Sequence, residues 1–121
     1  MRIITGSFWN VHSAPLFKST STLTLRDTNT FQVAPLVYQA VNRTLPLSFN
    51  NYFIYNKDVP DHFTRRKENI HILHCNTDVR AFCVKNYGRK LWNTIPINIR
   101  SALSLNIFKC KLKIHLLQQY T

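Results

Sequence analysis

Two groups of residues in this 121-residue sequence have the right chemistry to hold a metal ion, one of carboxylates and one of histidines and cysteines. Two-metal phosphoryl chemistry needs acidic side chains gathered tightly enough to hold Mg²⁺ against a phosphate. The sequence offers Asp27, Asp58, Asp61, Glu68 and Asp78, none adjacent to another. The one close pair, Asp58 and Asp61, falls in a polar stretch that reads as a solvated loop. With only Gly6 and Gly88 in the chain, there is no Gly-rich cradle for a phosphate either. His71, His74, Cys75 and Cys83 supply zinc-type ligands. Their spacing contains no Cys-x-x-Cys, and His74 and Cys75, as neighbours, would point to opposite faces of a strand. Small core cysteines and surface histidines are the favoured reading, and a Cys–His nucleophile ranks lower still, because thiolate activation depends on spatial neighbours. No catalytic residue, metal or cofactor is therefore assigned.

The remaining chemistry is that of positive charge. Sixteen Lys and Arg against five Asp and Glu give a net charge of +11 and a pI near 10.1, and polyanions are the commonest partner of a small, strongly basic chain. From His62 onward eleven Lys and Arg meet only Glu68 and Asp78, so this half carries +9 of the +11. We divide the single domain accordingly into a near-neutral helical part, 1–61, and a basic part, 62–121. The candidate contacts to RNA or DNA are Arg65, Arg66, Lys67, Arg80, Lys85, Arg89, Lys90, Lys109 and Lys113. Arg65 to Lys67 is the densest run, with a solvated loop as its plainer reading. Arg89 and Lys90 stand beside Tyr87 and Trp92, an aromatic-plus-basic arrangement. There Trp92 is expected as a core anchor and the two charges as solvent-facing.

Elements able to position these residues are mainly helical, with at most one short β pair. Arg2 to Thr5 reads as the end of a helix. Ala14 to Lys18 reads as a short turn with Ser13 as cap and Pro15 in the permissive first turn, and Leu23 to Leu25 as an extended connector. Asp27 is expected to cap a helix running through Asn42, with Phe31, Ala34, Tyr38 and Val41 at helical spacing and a kink or break at Pro35. Pro46 and residues 47–55 suggest a turn into a short helix, and 56–69 an exposed loop. Residues 70–75 read as a strand, with 80–84 either pairing with it or opening a helix leading to Trp92, ended by Pro96. Ser104 caps a last helix to about Gln119. That helix carries two apolar faces, one of Leu105, Phe108, Leu112 and Leu116 and another of Ile107, Cys110, Ile114 and Leu117. A surface helix of a small domain needs one such face, so the second implies burial from both sides or a partner outside this chain.

Three widely spaced cysteines argue against a disulfide framework and fit a reducing compartment. The first residues are too poor in apolar side chains for a signal peptide, and no run approaches the ~18 apolar residues of a membrane span. The expectation is an intracellular protein, in nucleus or cytoplasm, with the sequon at Asn42 to Thr44 unused.

Taken in order, Arg80, Phe82, Gly88, Leu91, Trp92, Asn93 and Pro96, then Phe108, Lys109, Leu112 and Lys113, form a pattern with a known counterpart. It resembles the C-terminal, post-thumb segment of the reverse transcriptases of animal non-LTR (LINE-type, jockey-like) retrotransposons. His12 to Lys18, Leu25 to Asp27, Leu45 with Pro46, Phe49 to Phe53, and Thr64 with Arg65 are similar to the segment preceding it, so the resemblance spans about residues 2 to 117. That family is an RNA-directed DNA polymerase whose palm carries an Asp-Asp motif. This sequence has no Asp-Asp, so no catalytic residue transfers. The resemblance implies a non-catalytic, basic, largely helical piece of a transposable-element enzyme. Its partners would be template RNA or target DNA and the upstream polymerase domain, with no membrane and no small-molecule substrate. Phe82, Gly88, Leu91, Trp92, Asn93, Pro96 and Phe108 would be its structural motif residues. Pro35, where the family continues an unbroken helix, and Arg43, where glycine is common, are departures that fit a copy drifting without strong selection. The alternative reading is a standalone interaction module that docks through the two-faced last helix.

Overall fold

A computed structural model describes residues 2–59 and 65–120. Seven α-helices are formed among them: α1 (Arg2–Thr5), α2 (Ser13–Ser19), α3 (Leu25–Val41), α4 (Asp78–Phe82), α5 (Val84–Thr94), α6 (Ile97–Arg100) and α7 (Leu105–Gln118). Two short 3-10 turns, Leu47–Phe49 and Asn56–Asp58, interrupt the long connection between α3 and α4. The fold is mainly α, as expected, and no sheet is formed among the described residues.

The core is built where α3 meets α5 and α7. Ala34, Val37 and Tyr38 of α3 pack with Trp92 of α5 and with Phe108, Leu112 and Leu116 of α7. Tyr38 stacks on Phe108 at 4.6 Å between ring centroids, and Trp92 stacks on the same ring at 5.9 Å. Such pairs add roughly 0.5–1.5 kcal/mol beyond the area they bury. Tyr38 also donates its hydroxyl to the Ala102 carbonyl at 2.6 Å, which fixes the turn before α7. The anchoring role expected of Trp92 is met, since it is 2% exposed. So is the Phe108, Leu112, Leu116 face of α7, all three being buried.

The helix ends show how local sequence works. Ser104 caps α7 as expected, accepting the Ile107 N–H. At α3 the cap is Thr24 and not Asp27: the Thr24 hydroxyl oxygen accepts the Asp27 N–H and its O–H donates to the Asp27 carboxylate. The same carboxylate also accepts from the Tyr120 hydroxyl, which ties the chain's end to the start of α3. At α2 the helix begins one residue earlier than expected, with His12 and not Ser13 as the flanking residue and no side-chain cap. Two helices end in a Schellman turn without a glycine. After α3 the Arg43 N–H reaches Ala40 O and the Thr44 N–H reaches Gln39 O, with Arg43 at φ +56°. After α2 the Ser21 N–H reaches Lys18 O and the Thr22 N–H reaches Phe17 O, with Ser21 at φ +51°. Arg43, at the position where the resembled family commonly has glycine, thus carries a left-handed backbone.

Three expectations are corrected. No break occurs at Pro35, and α3 runs through it from Leu25 to Val41. A proline inside a helix costs on the order of 3 kcal/mol; Pro35 is itself buried, and the packing of α3 on α5 and α7 through Ala34, Val37 and Tyr38 offsets that cost. Of the two readings of 80–84 the helical one holds, with 80–82 in α4 and Val84 beginning the α5 that carries Trp92, so 70–75 find no strand partner there. Instead Ile70 makes a single antiparallel bridge with Tyr55. Its own N–H and C=O face away from that bridge and are both taken by the Asn93 side chain, at 2.8 and 2.9 Å. One amide side chain thus does the work of a third strand. Finally, Pro96 does not simply end an element; it opens α6, which the sequence reading lacked.

Candidate nucleic-acid interface

The chemistry-bearing face of α5 follows from its 3.6-residue period: Tyr87, Lys90, Leu91 and Thr94 fall at i, i+3, i+4 and i+7 and share one side of the helix. Two clefts flank that side and meet at Lys90 and Thr94, which line both. The first, about 520 Å³, lies between α5 and residues 56 and 66–72, and is lined by Asn56, Arg66, Asn69, His71 and Asn93. It owes its shape to Asn93 clamping Ile70, and to Asn56, whose side chain donates to the Arg66 carbonyl at 3.0 Å. The second, about 630 Å³, lies between α5 and the facing sides of α3 and α7, and is lined by Arg26, Asp27, Tyr87, Leu91, His115 and Tyr120. The carboxylate in it, Asp27, is engaged by the Thr24 and Tyr120 hydroxyls. What lies along the two clefts is then Arg66, Lys90 and Arg26, two histidines, and the ring of Tyr87.

Of the nine candidate contacts, the structure brings Arg66 and Lys90 to these clefts. Arg65 and Lys67 are exposed beside Arg66. Arg80 and Lys113 are exposed elsewhere, Lys109 is half-buried on α7, and Lys85 sits 4.9 Å over the Tyr52 ring. Arg89 is a correction. It is 3% exposed, and its Nε and Nη2 both donate to the Tyr52 carbonyl, at 3.2 and 2.7 Å. Burial disfavours the charged form and lowers its pKa. Arg89 holds the segment after α3 onto α5, and no phosphate reaches it. One position along the helix was enough to send Lys90 to the cleft and Arg89 to the interior.

The motif residues divide into those the core needs and those it does not. At Gly88 an added Cβ would lie 2.9 Å from Val37 Cγ2, so α3 and α5 approach closely because this position has no side chain. Phe108 and Trp92 are core, Leu91 is half-buried against it, Asn93 is the clamp, and Pro96 precedes α6. Phe82 is exposed. The cysteines correct another expectation: Cys83 and Cys110 are exposed and Cys75 is half-buried, so none is a core residue. Among the described residues no three of His, Cys, Asp and Glu gather into a group able to hold a metal ion. Asp61 lies outside the described residues, as does Thr64.

The sequence reading missed Arg26, His71 and His115 as cleft residues. Arg26 belongs to the near-neutral part of the chain and lines the same cleft as Lys90 only because α3 packs on α5. His71 was read as a possible zinc ligand, and His115 not at all. No helix among the described residues is long and apolar enough to cross a membrane. Comparison with protein-family models, with curated proteins and with solved structures finds no match.

Proposed function

We propose that this chain is a non-catalytic segment of a non-LTR retrotransposon reverse transcriptase that binds single-stranded RNA or DNA without sequence preference. The resemblance set out above supplies the family, and the paired clefts supply the binding surface. The observation that carries the second part is the meeting of the two clefts at Lys90. Cations from three separate segments line one path there, with Tyr87 available for a base to stack on. The absence of an Asp-Asp pair from the sequence leaves the polymerase chemistry to another part of such an enzyme. An intracellular site of action goes with this reading.

The test is fluorescence anisotropy of a labelled single-stranded RNA across a salt series. Counterion release gives a log–log slope of about −0.7 per phosphate contact on single strands. Lys90→Ala and Arg26→Ala should each flatten the slope by about 0.7, whereas Arg89→Met should leave it unchanged. A flat salt response in the parent protein, or no binding at low salt, sinks the proposal.

A second reading has its own support. The face of α7 carrying Ile107, Cys110 and Ile114 is exposed, in keeping with a helix that docks on a protein, whether an upstream polymerase domain or another partner. Concentration-dependent self-association or capture of that domain, abolished by Ile114→Glu, would favour it over nucleic acid.

A further inference from the structure

The stretch before α4 and the joint between α4 and α5 each carry a cysteine that neither reading above uses. Cys75 is half-buried, Cys83 is exposed, and both are free thiols. One amide and one carbonyl connect them. The Asn86 Nδ2 group donates to the Cys75 sulfur at 2.9 Å and to the Arg80 carbonyl at 2.7 Å. The Cys83 thiol donates to the same carbonyl at 3.0 Å. Asn86 is 4% exposed, so packing holds the bridging amide in place. Both sulfurs also lie within electrostatic reach of the buried Arg89 guanidinium, whose charged form they favour.

The backbone around the pair leaves it room to close. A disulfide brings its sulfurs to about 2.05 Å, so one of the two side chains must swing past the Asn86 amide. Cys83, at φ −63° and ψ 149°, is the non-helical joint on which α4 turns into α5. None of the residues of α4 is buried, so this helix can shift without exposing a buried side chain of its own.

We propose that Cys75 and Cys83 form a reversible, redox-sensitive disulfide, made by exchange with a low-molecular-weight disulfide such as oxidised glutathione. The exposed Cys83 thiolate attacks one sulfur of that disulfide and expels one thiolate, leaving a mixed disulfide on Cys83. The Cys75 thiolate then attacks the Cys83 sulfur and expels the second. Two protein thiols are oxidised and one small disulfide is reduced to two thiols, the cysteine protons passing to the leaving thiolates. The bond ties the stretch before α4 to the start of α5. Neither cysteine lines a Lys90 cleft, so this proposal and nucleic-acid binding stand or fall separately.

The test uses the full chain with Cys110→Ser, a change at an exposed position that leaves Cys75 and Cys83 as the only thiols. The protein is equilibrated with reduced and oxidised glutathione in varied ratio, acid-quenched and weighed by mass spectrometry. Trypsin cuts after Arg80, so the two cysteines stay on one fragment only through the bond. The expected species is lighter than the reduced chain by its two thiol hydrogens and gives the joined fragment. Its effective thiol concentration should be at least about tenfold above that of the same chain in concentrated urea, where only the short spacing draws the cysteines together. Equal values in buffer and in urea overturn the proposal, because sequence proximity would then explain the bond. Glutathione adducts that persist on Cys83, or disulfide-linked dimers in place of the internal bond, overturn it as well.

Discussion

Trp92 and Phe108, where α5 and α7 meet α3, are 2% and 0% exposed, while Ile3 of α1 and Val79 and Phe82 of α4 are 97%, 86% and 77% exposed. All five are large apolar side chains. The difference lies in what stands opposite. The α3–α5–α7 junction brings three helical faces together, and each buries the others' apolar side chains. The helices α1 and α4 bury no residue, whereas α6, no longer than α1, buries Ile99 in the core. The same contrast runs through α7 alone, whose Phe108, Leu112 and Leu116 are buried while Ile107 and Ile114 are open. Apolar composition tells where burial would be favourable; only a facing element makes it happen.

The contrast can be tested by unequal responses to similar changes. The largest is expected from Phe108→Ala, which removes the ring stacked on both Tyr38 and Trp92. Loss of a buried Phe costs about 3–5 kcal/mol, and urea unfolding should show the transition moved to far lower denaturant or abolished. The matched change in the outer region, Phe82→Ala, should stay within about 0.5 kcal/mol. Equal effects from the two would erase the distinction between the regions. Next comes Gly88→Ala, which drives a Cβ into Val37. Overpacking of this kind costs about 1–3 kcal/mol, read as a lowered thermal midpoint, and it should be relieved by Val37→Ala in the same chain. Smallest is Arg43→Gly. Removing the left-handed strain at the α3 terminus, net of glycine's greater unfolded entropy, should stabilise the chain by up to about 1 kcal/mol. A destabilised Arg43→Gly protein would mean the arginine makes an offsetting contact.

Parts of this architecture are legible in the chain itself. Ser104 and the Phe108, Leu112, Leu116 spacing specify α7 because capping and helical periodicity act within a few residues of each other. The left-handed turn at Arg43 is less legible: only the resemblance, through a position where glycine is common, pointed to it, and the Schellman turn itself is seen in the structure. Pro35 misleads because its cost is local while the packing that offsets it comes from α5 and α7. Residues 70–75 mislead likewise. Their β-type pattern is real, but the partner that takes up Ile70 is the side chain of Asn93, which no strand rule anticipates.

For function the division is sharper. The sequence by itself determined the sign and the asymmetry of the charge, the helical class and the choice of Trp92 as an anchor. Those are properties of composition and short-range order. Which cations face one another was left to the tertiary structure. It buried Arg89 and exposed Lys90, and it brought Arg26 from the near-neutral part to the same cleft. The reason is geometric: such pairings depend on where α3 crosses α5 and α7, and a crossing is set by packing among residues distant in the chain.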